Sequence, residues 1–191
     1  MRRRGVVATT VARPGRLVGI GGALAALALL TAMALSGRVP ESGQLVRFVP
    51  AGVLPEAPAQ IDRVELTAGA RRWVFARKAD GWSVEPGSRP VPASLATHLD
   101  DSIKFMHVSA PIRVLARTEW APQGLREFGL DPPAYSATVF KGQRRLLAAN
   151  FGAQNPQKVL QYMRIEGQDE LYVMSRFVGA AWEQALVEAG R

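Results

Sequence analysis

The 191-residue chain contains no cysteine. That single absence excludes disulfides, thiolate metal sites, a cysteine nucleophile and a cysteine-linked lipid anchor. Histidine is nearly absent too: there are two, His98 and His107, nine positions apart. Nine residues are about 2.5 turns of helix, so no continuous helix presents both on one side. A catalytic zinc typically takes three protein ligands in a compact set. No metal-ligating residues are expected, and nothing in the sequence implies a cofactor.

Acidic residues are missing from residues 1–38, which hold six arginines, Arg2, Arg3, Arg4, Arg13, Arg16 and Arg38. The formal net charge of +8 is therefore concentrated at the N-terminus, because residues 39–191 carry 18 basic against 16 acidic side chains. A nucleic-acid binder gathers cations on its folded surface, where they neutralise phosphates. Here the surplus lies in a leader, and nucleic acid is not an expected partner. The 48% apolar and 21% charged content is ordinary for a folded chain, and the length suits one domain with an appendage.

Between Arg16 and Arg38 runs LVGIGGALAALALLTAMALSG, residues 17–37, without a charge. As a helix it would be about 30 Å long, the thickness of a bilayer's hydrocarbon core. Five arginines precede it and one follows. The positive-inside rule then keeps the N-terminus in the cytoplasm and sends the remainder to the periplasmic side of the inner membrane. The competing reading is a cleaved signal peptide, since AMA at 32–34 has the small-x-small form of a cleavage site. The apolar run exceeds the usual h-region of about 7–15 residues, which favours an uncleaved anchor. The GIGG inside it follows no strand and is not a phosphate loop.

The expected organisation is a basic cytoplasmic leader (1–16), a transmembrane helix (17–37), a proline-rich tether (38–60) and an α+β extracytoplasmic domain (61–191). Pro40, Pro50, Pro55 and Pro58 deny the tether long helices or strands, although QLVRFV within it could add a short edge strand. In the domain, Val64 and Leu66, Trp73 and Phe75, then Trp82 and Val84 alternate at period two, with turns at Ala68-Gly69 and Asp80-Gly81. Three antiparallel strands follow from that pattern. PASLATHLDDSIKFMH switches to helical spacing, with Leu95, Leu99, Ile103 and Met106 on one face and Pro92 in the first turn.

The second half repeats the order, with strands around Lys141-Gly142 and Gly167 and a last helix opened by Ser175 as N-cap. The fold class predicted is thus α+β, an N-terminal transmembrane helix followed by one domain of two antiparallel strand-strand-strand-helix units. At their junction lies EFGLDPP, residues 127–133. Its carboxylates Glu127 and Asp131 could belong to a catalytic loop, but every residue has a structural role. With a short helix begun at Pro122 and Gly129 at C′, Leu125 and Leu130 become the pair that touches in a Schellman stop. Asp131, before Pro132, is then extended.

Other candidate constellations read as surface or core. Ser94, His98, Asp101 and Ser102 share one side of the predicted helix, a hydroxyl-imidazole-carboxylate set. It lacks the strained turn and oxyanion donors that a serine nucleophile needs. The neighbours Asp100-Asp101 and Asp169-Glu170 point apart, so neither forms an acid-base pair. Trp73, Trp82, Trp120 and Trp182 could build a ligand platform, but such tryptophans more often fill a core. RRW at 71–73 and QRR at 143–145 could form a basic rim for a partner or anionic lipid, or could be edge-strand charges deterring aggregation. No catalytic, cofactor-binding or metal site is predicted.

DGW at 80–82, FGLDPP at 128–133, FG at 151–152, and YMRIEG and ELYVMS beyond them resemble the bacterial family called domain of unknown function 4340. The likeness covers residues 61–180. It implies an exported, membrane-tethered protein, in some cases encoded beside ABC exporters of the gliding-motility type. Many members carry the unit more than once, whereas this chain has one copy, and no catalytic residue is implied. The function expected is a non-enzymatic accessory or assembly subunit of a membrane complex, with integral membrane proteins and the lipid bilayer as partners. The alternative is a periplasmic module that binds a small ligand or cell-wall polymer.

Overall fold

The computed structural model describes residue 24, residues 26–32 and residues 50–191. Most of the expected transmembrane segment and its leader lie outside the described residues, as does QLVRFV. Leu24 and residues 26–32 are helical and exposed. Among the described residues no helix is long and apolar enough to cross a membrane. The chain divides into two units, Met1–Phe48 and Val49–Arg191, and the second holds the fold.

That unit is α+β. Four strands, β1 (Arg63–Ala68), β2 (Arg71–Lys78), β3 (Gly81–Glu85) and β4 (Arg89–Pro90), lead to helix α1 (Ala93–Val108). Strand β5 (Arg113–Leu115) and the short helix α2 (Arg117–Trp120) form the crossing. Strands β6 (Tyr135–Lys141), β7 (Arg144–Gln154), β8 (Leu160–Ile165) and β9 (Leu171–Ser175) then lead to helix α3 (Arg176–Ala189). All are joined in one antiparallel sheet of order β4-β3-β2-β1-β6-β7-β8-β9-β5. Two meanders thus meet through β1 and β6, each followed by a helix. Each of these helices follows four strands, where three per unit were expected, and β5 joins the same sheet as a ninth strand. Strand β4 escaped the sequence pattern because two residues, one of them proline, show no alternation.

Alternation fixes which face is buried. Val64 pairs with Val139 and Leu66 with Ala137, all buried, whereas Glu65 with Thr138 and Thr67 with Ser136 lie on the opposite face. Helices α1 and α3 pack together and cover the first face. Leu95, Leu99, Ile103 and Met106 of α1, the face expected from spacing, are buried with Val178, Trp182 and Ala185 of α3. Pro92 sits one residue earlier than expected, at the N-cap of α1. Ser175 does occupy the N-cap of α3, but its hydroxyl makes no capping bond.

The tether is shorter than the proline spacing suggested. Leu54 is 1% exposed and belongs to the core. The amide of Gly52 donates to the carbonyl of His107 at 2.9 Å and that of Leu54 to Met106 at 3.0 Å. Prolines forbid long helices and strands here, leaving a short 3-10 helix at Pro58–Gln60, without forbidding attachment: Leu54, with Val53 beside it and two backbone bonds, docks the segment.

EFGLDPP is the expected corner, reached by a different route. The helix before it is Arg117–Trp120, ahead of Pro122 rather than begun by it. Residues 125–128 make a single turn that nevertheless ends in both Schellman bonds: Leu130 N–H to Leu125 C=O at 2.9 Å and Gly129 N–H to Arg126 C=O at 2.9 Å. Gly129 takes the left-handed conformation (φ +64°) that this stop requires. The Asp131-Pro132 peptide is cis. The corner rests on β7, where Ala153 N–H donates to Phe128 C=O at 2.8 Å. FGLDPP and FG, separate in sequence, are therefore two halves of one contact.

Candidate functional site

The hydroxyl-imidazole-carboxylate set on α1, disfavoured already by the sequence, does not converge. Ser102 is buried and its Oγ donates to the carbonyl of His98 at 2.6 Å, while Ser94 Oγ donates to Glu188 Oε2 at 3.2 Å. His107 lies against the docked segment, Nδ1 2.9 Å from Leu54 C=O. Because a carbonyl only accepts, that nitrogen carries the proton. Among the described residues no group of three or more histidine and carboxylate side chains could hold a metal. Glu127 and Asp131 are both exposed.

One carboxylate of each adjacent pair is engaged. Asp100 Oδ1 accepts from Arg77 at 2.5 Å and from Trp82 Nε1 at 2.9 Å, with the Arg77 guanidinium stacked 4.5 Å over the indole. This cluster ties α1 to β2 and β3. Asp169 accepts from Arg117 at 3.2 Å, and its carbonyl accepts from Trp120 Nε1 at 2.9 Å.

The tryptophans form no platform. Trp82 and Trp182 are buried on the helix-covered face. Trp120 is buried in a separate cluster with Phe128, Leu130 and Leu171. Trp73 alone is half-buried.

Nor are the arginine runs edge charges, since β2 and β7 are interior strands. Arg72 pairs with Glu65 at 2.6 Å, Arg144 with Glu56 at 2.9 Å and Arg145 with Glu166 at 2.9 Å. Pairing of this kind at an exposed surface contributes about 0–1 kcal/mol each.

Sequence reasoning missed a buried polar clamp between β6, β8 and α3. Tyr135 Oη donates to Gly179 C=O at 2.8 Å, and Gln161 Nε2 donates to Gly152 C=O at 3.1 Å. Arg176 reaches Gln161 Oε1 at 3.4 Å and pairs with Glu183. Burial, reinforced by the negative charge of Glu183, pushes the Tyr135 phenol far above its usual range. Tyr135 is thus a permanently neutral donor that fastens a helix, not a base. Gln161 among the apolar residues of β8 was the available signal.

Among the described residues, no helix layer covers the centre of the opposite face of the sheet. Thr67, Ser136, Thr138 and Asn150 are half-buried there, and Ser136 Oγ donates to Asn150 Oδ1 at 2.6 Å. Over β8 and β9 the α2 segment and the corner close this face. Between them and β5 runs a groove of about 660 Å3, walled mainly by Ile112, Leu115, Phe128, Leu160, Tyr162 and Val173, with the Arg113–Glu119 pair, Gln123 and Asn155 completing its lining. Strand β5 is the outermost strand at one end of the sheet; Ile112 just before it and Val114 within it are 61% and 46% exposed. Exposed apolar residues on an unprotected edge are a template for pairing with another chain.

Glu119 secures that edge. Its carboxylate accepts from Ala116 N–H at 2.8 Å and from Arg113 at 2.6 Å. The first bond, with help from the guanidinium, holds its pKa below the usual 4.5. A depressed carboxylate stabilises the fold above its unfolded pKa and ceases to do so as pH falls through the folded value. Protection of the Ala116 amide, measured against its intrinsic exchange rate, should therefore fall on acidification below the ordinary carboxylate range. In Glu119→Gln that protection should be reduced already at neutral pH and lose its acid dependence.

Comparison with family models, curated proteins and solved structures gives no match to this chain.

Proposed function

We propose that this chain is a non-enzymatic, single-pass inner-membrane protein whose α+β domain, on the periplasmic side, is an accessory subunit of a membrane complex. The observation that carries the reading is the apolar groove along the unprotected β5 edge, a surface that buries its walls when an extended segment of a partner lies against it. The uncharged stretch at 17–37 supplies the anchor. An integral membrane component of an ABC-type exporter is the partner to which the resemblance points.

Purification of the tagged protein in mild detergent tests this directly. A stoichiometric membrane-protein companion is expected, and migration as a lone monomer would overturn the proposal. Ile112→Asp with Val114→Asp should cost the companion at least about tenfold in recovery, since each places a charge against apolar partner surface. Both residues are exposed, so the melting temperature of the variant should stay within a few degrees of the parent.

A further inference from the structure

A second groove lies on the helix-covered side of the sheet, at the β2–β4 end, where α3 stops short of the edge. It has a volume of about 380 Å3, within the range of about 300–1,000 Å3 typical of small-molecule sites. Trp73, Phe75, Val84, Val91 and Leu95 wall it. Phe75 and Leu95 are fully buried, so the floor is rigid, whereas Trp73, Val84 and Val91 are half-exposed to the empty space. Apolar walls without a hydrogen-bonding group on the floor suit a hydrocarbon.

The mouth is cationic. Glu188 at the rim is already engaged, accepting from Ser94 at 3.2 Å and pairing with Arg191 at 2.7 Å. Arg89, also on the rim and exposed, has no ion pair or side-chain hydrogen bond within the described residues. Its planar guanidinium is the donor fork that matches a carboxylate.

We propose that this groove binds a single-chain fatty carboxylate, with its hydrocarbon against Trp73, Val84 and Val91 and its head group on Arg89. At about 30 Å3 per non-hydrogen atom, the volume of one water, the cavity has room for about twelve such atoms, the size of decanoate. This site is separate from the β5 groove and does not depend on partner docking there.

Photo-crosslinking of the full chain in lipid nanodiscs tests it, with decanoate carrying a diazirine on its chain as the probe. Labelling is expected on the segment 83–95, with competition by unlabelled decanoate stronger than by octanoate, about fourfold per methylene. Arg89→Glu, an exposed substitution, should reduce that labelling about tenfold or more with an unchanged melting temperature. Val84→Phe, which fills the groove with apolar bulk, should abolish it. A decylamine probe of the same length should label the segment weakly. Labelling confined to the apolar N-terminal stretch, equal labelling by the cationic probe, or insensitivity to Arg89→Glu would each overturn the proposal.

Discussion

Trp182→Ala should cost about 4 kcal/mol of stability, the upper range for removing a large aromatic from a core. Trp182 is 0% exposed and is the largest fully buried side chain among the described residues. It stands on α3 in the one cluster that joins both helices to both meanders, so no neighbour can collapse into the space without dragging an element with it. For a unit of this size a loss of that order lowers the melting temperature by roughly 15 °C, readable by far-ultraviolet circular dichroism of the protein in mild detergent. Trp182→Phe separates volume from polarity. The indole N–H is buried with no hydrogen-bond partner, so losing it costs nothing, and the Phe variant should lose about 1–2 kcal/mol. Equal losses in the two variants would mean that the nitrogen, not the ring, matters.

The parts of this fold that were legible in the sequence are those governed by local period. The apolar face of α1 could be read off spacing alone because Leu95, Leu99, Ile103 and Met106 recur at three and four residues. The hairpins β1–β2 and β2–β3 followed from alternation broken by glycine. The Schellman pair Leu125 and Leu130 was legible for the same reason, since its chemistry spans six residues. The helix assigned to it was not there, because a single turn satisfies the same stop and the chain had already spent its helical run before Pro122.

What sequence could not supply is the long-range pairing. Helical spacing puts Asp100 off the apolar face of α1, yet its oxygen holds Arg77 and Trp82 from strands more than fifteen residues away in the chain. Nothing local distinguishes it from the unremarkable Asp101. Strand β5 is three residues long and gains its identity only from β9 beside it, so the candidate docking edge was invisible. The β2–β4 groove is likewise an emergent space, made by where α3 ends; of its residues only Trp73 stood among the candidate ligand contacts, in a platform that the fold disperses.

Gly152→Ala should cost about 3 kcal/mol, although it adds one methyl group. A Cβ at this position would lie 2.8 Å from Leu130 Cγ and closer still to the carbonyl oxygen of Phe128. That carbonyl is backbone, fixed by the Schellman turn on one side and by the Ala153 N–H on the other, so it cannot swing away as a side-chain tip would. Relief requires lifting the whole corner off β7. That breaks the 2.8 Å bond from Ala153 and opens the cluster of Trp120, Phe128, Leu130 and Leu171. The expected signature is therefore a fall of roughly 10 °C in melting temperature together with increased solvent quenching of Trp120. Gly190→Ala is the control: at φ −87° with its nearest new neighbour 3.4 Å away, it should change stability by no more than about 0.5 kcal/mol. If Gly152→Ala proves as mild as the control, FGLDPP and FG are not halves of one contact. The corner would then owe its shape to its own turn chemistry alone.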